Sequence, residues 1–139
     1  IRVDKDENVY LMEIGPRNGG NYIPQVIEHI TGIDMLEYTI KAAMGEGCSA
    51  LKMVKPEGFY AYYSIHSLCG GIFGGIEIEE KFRQKHLVSS HLSLKNGDRV
   101  IPYTGSNKTI GILILKFKDM KEMLDLIEHI SDYVKVVLK

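Results

Sequence analysis

The order of sequence patterns along the 139-residue chain predicts an α+β (mixed α/β) fold. The first observation is that two helix-like segments with recognisable end signals follow a short strand-like opening. The second is that alternating or continuously apolar segments, which are typical of strands, dominate from residue 59 onward. The third is that a helix-like segment and one strand close the sequence. A chain of this length can bury a sizeable core.

The sequence opens with two strand-like segments around a polar turn. Residues 1–4 and 9–14 are predicted to form a β-hairpin. In the second strand, side chains alternate between the two faces, so Val9, Leu11 and Glu13 are expected to share one face. Because Ile1 already continues a strand-like pattern, we expect the chain to be a piece of a longer protein.

The two helical segments have their own start and stop signals. Residues 22–30 are predicted to be helical, with Pro24 in the first turn and Gly32 just beyond the end. Asp34 is predicted to cap a second helix that extends to Met44, with Glu37 placed as in a capping box.

The rest of the chain is predicted to be mainly β. The predicted strands are 59–68, 72–78, 109–118 and 133–138, together with a hairpin formed by 86–94 and 99–103. The predicted helical segments are 79–85 and 120–129, and Asp119 is expected to cap the second of them. We expect the apolar face of that helix to pack in the core through Met120, Met123, Leu124, Ile127 and Ile130.

Composition excludes several classes of protein. The 17 basic and 18 acidic residues are mixed along the chain and give a formal charge of −1, so neither nucleic acid nor a membrane is an expected partner. Two cysteines are too few for a disulfide framework. No apolar run approaches a membrane span, and no secretory signal is visible. We therefore expect a cytoplasmic protein.

The segment YLMEIGPRNGGNY contains the strongest candidate site. Glu13, at the end of the predicted strand, suits a magnesium ion, which prefers oxygen ligands and keeps waters and substrate phosphates as its other partners. Arg17 offers a planar fork for a carboxylate or a phosphate. Gly19 and Gly20 allow the backbone to approach a ligand closely. An ordinary strand–turn–helix with a solvated Glu and Arg accounts for the same residues equally well.

The segment YLMEIGPRNGGNYIP, followed by TGIDMLEYTIKAAMG, resembles the end of the ATP-grasp domain in carboxylate–amine ligases such as biotin carboxylase, the carbamoyl-phosphate synthetase large subunit and the L-amino-acid ligases. The resemblance implies that Glu13 holds Mg²⁺ or Mn²⁺ on the phosphates of ATP. It implies that Arg17 is catalytic and holds the substrate carboxylate or its acyl phosphate. It also implies that Pro16, Gly19 and Gly20 shape the loop, with the two glycines next to the nucleotide.

One position departs from the pattern of that family. Gly15 stands where the family usually has a metal-binding Asn, and glycine has no side-chain ligand. The second metal contact is therefore expected from Asn18, from Asn21 or from water. The other metal-binding Glu, the adenine-binding strands and the glycine-rich lid of the family would lie before Ile1. The resemblance thus implies a missing N-terminal ATP-grasp lobe as partner, and no ligase activity for this chain alone.

The resemblance also implies a division into two domains. Residues 1–47 are expected to be the C-terminal end of an ATP-grasp domain, and residues 48–139 a C-terminal domain like that of the L-amino-acid ligases. Such a domain can contribute to substrate selection or to a homodimer, and the expected substrates are a small carboxylate and an amine. Two alternatives stay open: a non-catalytic ligand-binding or dimerisation module derived from this fold, and a separate chain that supplies the nucleotide lobe.

Other candidate sites are weaker. Residues 104–109 lack the Gly-Lys-Ser/Thr ending of a phosphate loop. His86 and His91 would face opposite ways on one strand, which argues against a zinc site. We expect His66 to be a partly buried histidine and Cys69 to be a buried structural thiol.

Overall fold

The computed structural model describes residues 1–15 and 17–139, and within them the chain has the predicted α+β fold. Its strands are β1 (Arg2–Val3), β2 (Val9–Tyr10), β3 (Phe59–Ile65), β4 (Gly71–Ile78), β5 (Leu87–Leu92), β6 (Arg99–Val100), β7 (Gly111–Phe117) and β8 (Val134–Leu138). Its helices are α1 (Ile23–Thr31), α2 (Met35–Ala43), α3 (Glu80–His86), α4 (Met120–Glu128) and α5 (Ile130–Tyr133), with a 3-10 turn at Ser106–Lys108. In these ranges no helix is both long enough and apolar enough to cross a membrane.

The strands of the described residues form three antiparallel sheets. β1 pairs with β2, β7 lies between β3 and β5, and β4 lies between β6 and β8. The nearly continuous apolar sequence of β7 is explained by its burial, because successive residues on both faces of the strand are buried and it has almost no solvent side. Leu113 and Leu115 of β7 have no exposed surface. The core around them also contains Ile65, Phe73, Ile78, Phe82, Val100, Ile110, Phe117, Ile130 and Val134.

The predicted end signals of α1 and the Asp34 cap of α2 are confirmed, whereas the Glu37 side chain pairs with Lys41 instead of completing a capping box. α1 has Pro24 near its N-terminus and ends at Gly32, whose φ of 70° is left-handed. The Asp34 carboxylate accepts hydrogen bonds from the backbone N–H groups of Leu36 and Glu37 at 2.8 and 3.0 Å and so caps α2.

The predicted opening strand is too long. β2 ends at Tyr10, and Leu11 to Gly15 have no regular structure. A two-stranded ribbon has no third strand to extend its ladder and is marginal by itself. The prediction that Glu13 shares a strand face with Val9 is therefore wrong, because Glu13 is not on a strand.

The predicted hairpin of residues 86–94 and 99–103 is also wrong. β5 pairs with β7, whereas β6 pairs with β4. The turn at Asn96-Gly97-Asp98 does form, but its backbone is hydrogen-bonded to Phe73 of β4. The Phe73 N–H donates to Asp98 O, and the Gly97 N–H donates to Phe73 O, both at 2.8 Å. The turn thus connects β5 of one sheet to β6 of another sheet.

Three side-chain predictions in the second half need correction. His86 is the last residue of α3, so it does not share a strand with His91. Met120 and Leu124 of α4 are exposed, and the core face of this helix is formed by Met123, Leu126 and Ile127. Cys69 is exposed and not buried. The predicted cap at Asp119 is confirmed, because its carboxylate accepts a hydrogen bond from the Glu122 N–H at 2.8 Å.

Candidate functional site

The candidate site begins in the irregular segment after β2. Glu13 is exposed there, and so is Arg17 on the far side of Pro16. Pro16, predicted to shape the loop, lies outside the described residues. The Arg17 guanidinium donates a hydrogen bond from Nη1 to the backbone oxygen of Asn18 at 3.2 Å, which orients it along its own loop. Both side chains are accessible to a ligand.

Asn18 ties this loop to α2. Its Nδ2 donates to the backbone oxygen of Met35 at 3.1 Å and to Thr39 Oγ1 at 2.7 Å. Because the amide nitrogen is engaged with the helix, Oδ1 is the atom of this side chain that a cation could use. The sequence suggested Asn18 as a metal ligand. The structure adds that its side chain holds the loop against α2, a role that sequence reasoning missed.

The loop turns sharply into α1. A Cβ atom at Gly19 would lie 2.9 Å from the terminal Cδ1 methyl of Ile23, which would have to move aside, whereas Gly20 faces open space. Asn21 and Tyr22 follow with φ of 57° and 61°. This left-handed conformation costs a non-glycine residue about 1–2 kcal/mol. Two such residues in succession must be held by their surroundings.

The ring of Tyr22 is held by the second half of the chain. It stacks on His91 of β5, with ring centroids 4.0 Å apart and planes inclined by 18°. The His91 Nε2 lies 3.0 Å from Ser89 Oγ. Sequence reasoning missed this pair, because only tertiary packing brings residues so distant in the chain together.

A cleft of about 360 Å³ adjoins the loop. Its lining includes Gly19, Asn21 and Tyr22 of the loop and Ser93 and Thr109 of the second half of the chain. The Gln25 side chain also lines this cleft, and its Oε1 is buried without a hydrogen-bond partner among the described residues. The loop therefore adjoins a cleft whose lining includes polar side chains.

The oxygen atoms of Glu13 and Asn18 are of the chemical type that magnesium prefers, and their role as its ligands stays a prediction. Residues 1–15 and 17–139 contain no group of three or more His, Cys, Asp or Glu side chains that could hold a metal. Magnesium, however, is commonly bound through one or two carboxylates together with waters and substrate phosphates. The Glu13 carboxylate and the Asn18 Oδ1 suit such a site, and Gly15 adds no side-chain ligand.

A second cleft, of about 490 Å³, lies next to β3 and β8 and includes Tyr63, His66, Ser131 and Lys135. Burial raises the pKa of the Tyr63 hydroxyl. His66 is half-buried as predicted, its Nδ1 lies 3.1 Å from the Ser64 backbone oxygen, and its ring packs on Tyr103. The residues that line this cleft do not belong to the Glu13–Gly20 loop.

Comparison with known proteins gives a likeness of structure only. The sequence matches no protein-family model and no curated protein. The fold is similar to phosphoribosylglycinamide synthetase from Anaerococcus prevotii, with a TM-score of 0.73 and 22% identity over 97% of this chain. It is similar to L-amino acid ligase from Bacillus licheniformis, with a TM-score of 0.77 and 20% identity over 99% of this chain.

A third solved structure agrees. N5-carboxyaminoimidazole ribonucleotide synthetase from Thermotoga maritima matches 99% of this chain with a TM-score of 0.62 and 19% identity. The chain spans about a third of the length of these structures, covering 35%, 34% and 35% of them. All three are ATP-grasp ligases. The chain therefore has the fold of part of an ATP-grasp ligase, which confirms the resemblance of its sequence at the level of the fold.

Proposed function

We propose that the chain is part of an ATP- and magnesium-dependent ligase that activates a carboxylate as an acyl phosphate for attack by an amine. The observation that supports this most is the likeness of nearly the whole chain to three solved ATP-grasp ligases. The accessible Glu13 and Arg17 side chains, on a loop that leads into a helix N-terminus, add chemical support, because such a terminus favours anions.

Each loop residue has a role in this proposal. Glu13 and the Asn18 Oδ1 would hold magnesium, which when bound neutralises charge on the nucleotide phosphates. Arg17 would bind the substrate carboxylate through charge-assisted hydrogen bonds and keep it in line with the terminal phosphate. A carboxylate oxygen then displaces ADP from that phosphorus. The amine nitrogen next attacks the acyl carbon, and inorganic phosphate leaves as the amide bond forms.

The exposed side chains around the hairpin support a partner lobe. Val9, Leu11, Met12 and Ile14 are 64, 65, 70 and 78% exposed, which makes a contiguous apolar segment at the edge of the candidate site. Apolar segments of this kind mark surfaces that pack against other protein. We propose that the nucleotide-binding lobe covers this segment, that residues 1–47 belong with that lobe, and that residues 48–139 form the adjoining C-terminal domain.

The first experiment is calorimetric titration of Mg-ATP into this chain and into a longer protein that includes the nucleotide lobe. We expect binding to the longer protein only, and no ATP turnover by the 139-residue chain with carboxylate and amine substrates. Binding of Mg-ATP to the short chain would place the nucleotide elsewhere. Binding to neither protein would refute the ligase proposal.

The substitution Glu13→Gln in the longer protein tests the site itself. Loss of one carboxylate charge at the metal should lower metal-dependent ATP turnover about 100-fold. Glu28→Gln makes the same chemical change at an exposed position of α1 and should leave turnover unchanged. Unchanged turnover in Glu13→Gln would show that Glu13 does not hold the catalytic metal. Absence of turnover in the unsubstituted longer protein would favour the alternative suggested by Gly15, a non-catalytic ligand-binding or dimerisation module.

A further inference from the structure

We infer that Tyr22 and His91 form a latch through which the second half of the chain positions the Arg17 loop. The latch consists of the stacked rings of these residues and of Ser89, whose hydroxyl lies 3.0 Å from His91 Nε2. This inference rests on the proposed function only for the role of Arg17. The conformational claim concerns the chain by itself.

The backbone conformation shows why the loop needs stabilising contacts from other parts of the chain. Asn21 and Tyr22 are both left-handed, and α1 begins after Tyr22 without a side-chain cap. Non-glycine residues keep such a conformation only where surrounding contacts enforce it. The Tyr22 ring has such a contact in His91, which belongs to a strand paired with β7, where every residue except Lys116 is buried. A rigid sheet thus fixes the residue at which the loop ends.

Side-chain contacts hold the loop on both sides of Gly19 and Gly20. Before the glycines, Asn18 donates hydrogen bonds to α2, and after them Tyr22 stacks on β5. Arg17 directly precedes the first fastening and bonds the Asn18 backbone oxygen. If the Tyr22–His91 stack is lost, the hydrogen bonds of Asn18 are the remaining side-chain contacts that hold this segment among the described residues. The turn next to Arg17 is then expected to become more mobile.

The variant His91→Ala tests the latch in the 139-residue chain. The reporters are two amides that depend on the turn: Ile23 N–H donates to Gly20 O, and Val26 N–H donates to Tyr22 O. Loss of the stack should speed their hydrogen exchange about two- to tenfold. The Arg17 Nε–H resonance should shift or broaden as well, which a purely local packing defect at His91 would not cause.

His29 offers a matched control at another stacked ring pair of α1. Its ring stacks on Tyr60 with centroids 5.3 Å apart, at the opposite end of α1. His29→Ala should speed exchange of the Glu57 amide, which donates to Ile30 O nearby, and leave Ile23, Val26 and Arg17 unchanged. His91→Ala should show the reverse pattern.

Two further variants separate the ring from its hydrogen bond. His91→Phe keeps an aromatic ring and should restore slow exchange and the Arg17 resonance, while Ser89→Ala should have a smaller effect than His91→Ala. Unchanged exchange at Ile23 and Val26 in His91→Ala would overturn the latch. Faster exchange with an unchanged Arg17 resonance would overturn the positioning role. Because no nucleotide is present, these results are independent of whether the ligase proposal holds.

Discussion

The two parts of the molecule differ in how much apolar surface they bury. All residues of the apolar core lie between Ile65 and Val134, with Leu113 at its centre. Among the described residues before Phe59, Pro24 alone is buried. The second part is therefore held by its own core. The first part takes its shape from caps, from α1 packing on β3 and from individual ties such as Asn18 and Tyr22. Functional loops are commonly drawn from such less stable regions.

Truncation of one large apolar side chain in each part should give the largest contrast. Leu113→Ala removes a side chain with no exposed surface and should lower the free energy of unfolding by about 2–5 kcal/mol. Ile40→Ala in α2, where the side chain is 60% exposed, should change it by less than about 0.5 kcal/mol. Urea unfolding measures both. Equal losses would contradict the division into a self-supporting part and a dependent part.

Adding one methyl group should sharpen the same contrast. In Gly111→Ala, the new Cβ would lie 2.6 Å from the His91 backbone oxygen and 3.0 Å from Leu92 Cα, so β5 must shift. We expect a loss of about 1–3 kcal/mol. Gly20→Ala meets nothing within 4 Å and should be nearly neutral for stability. Thermal unfolding of the two variants measures the difference, and a neutral Gly111→Ala would show that β5 is loosely held.

Acid should affect the two parts differently, although the effect is the smallest of the three. The hydrogen bond from Lys85, aided by the Lys118 N–H, lowers the pKa of Glu122 below its ordinary 4.5. The side chain and backbone of Asn8 lower the pKa of Asp4 below its ordinary 3.8. A lowered carboxyl pKa contributes stability that is fully present above the ordinary value and is lost as pH falls through the folded value.

The measurement is urea unfolding of Glu122→Gln and Asp4→Asn at pH 7 and pH 3. Glu122→Gln should be slightly less stable than the unsubstituted chain at pH 7, and the difference should shrink at pH 3. Asp4→Asn should leave global unfolding unchanged and only speed amide exchange in the hairpin turn, because the hairpin lies outside the core. A global loss in Asp4→Asn as large as in Glu122→Gln would show that the hairpin unfolds together with the core.

Sequence reasoning succeeded where the signal is local. Asp34 and Asp119 were predictable caps because their carboxylates bond amides two or three residues away. The apolar run of β7 predicted a buried strand because almost every side chain in it is apolar. In the candidate site, Arg17 and Glu13 were chosen from residue chemistry and a family resemblance. Their roles, like the domain boundary, stay predictions.

The fold class, most of the helices and strands, and the loop that carries the candidate site follow from local sequence patterns. The pairing of β5 with β7 instead of β6, the end of β2 before Glu13 and the stacking of Tyr22 on His91 depend on the folded chain. The difference lies in how far along the chain the interacting groups are separated. Caps and turns are set by bonds between near neighbours, whereas strand partners and ring stacks depend on which distant surfaces the common core brings together.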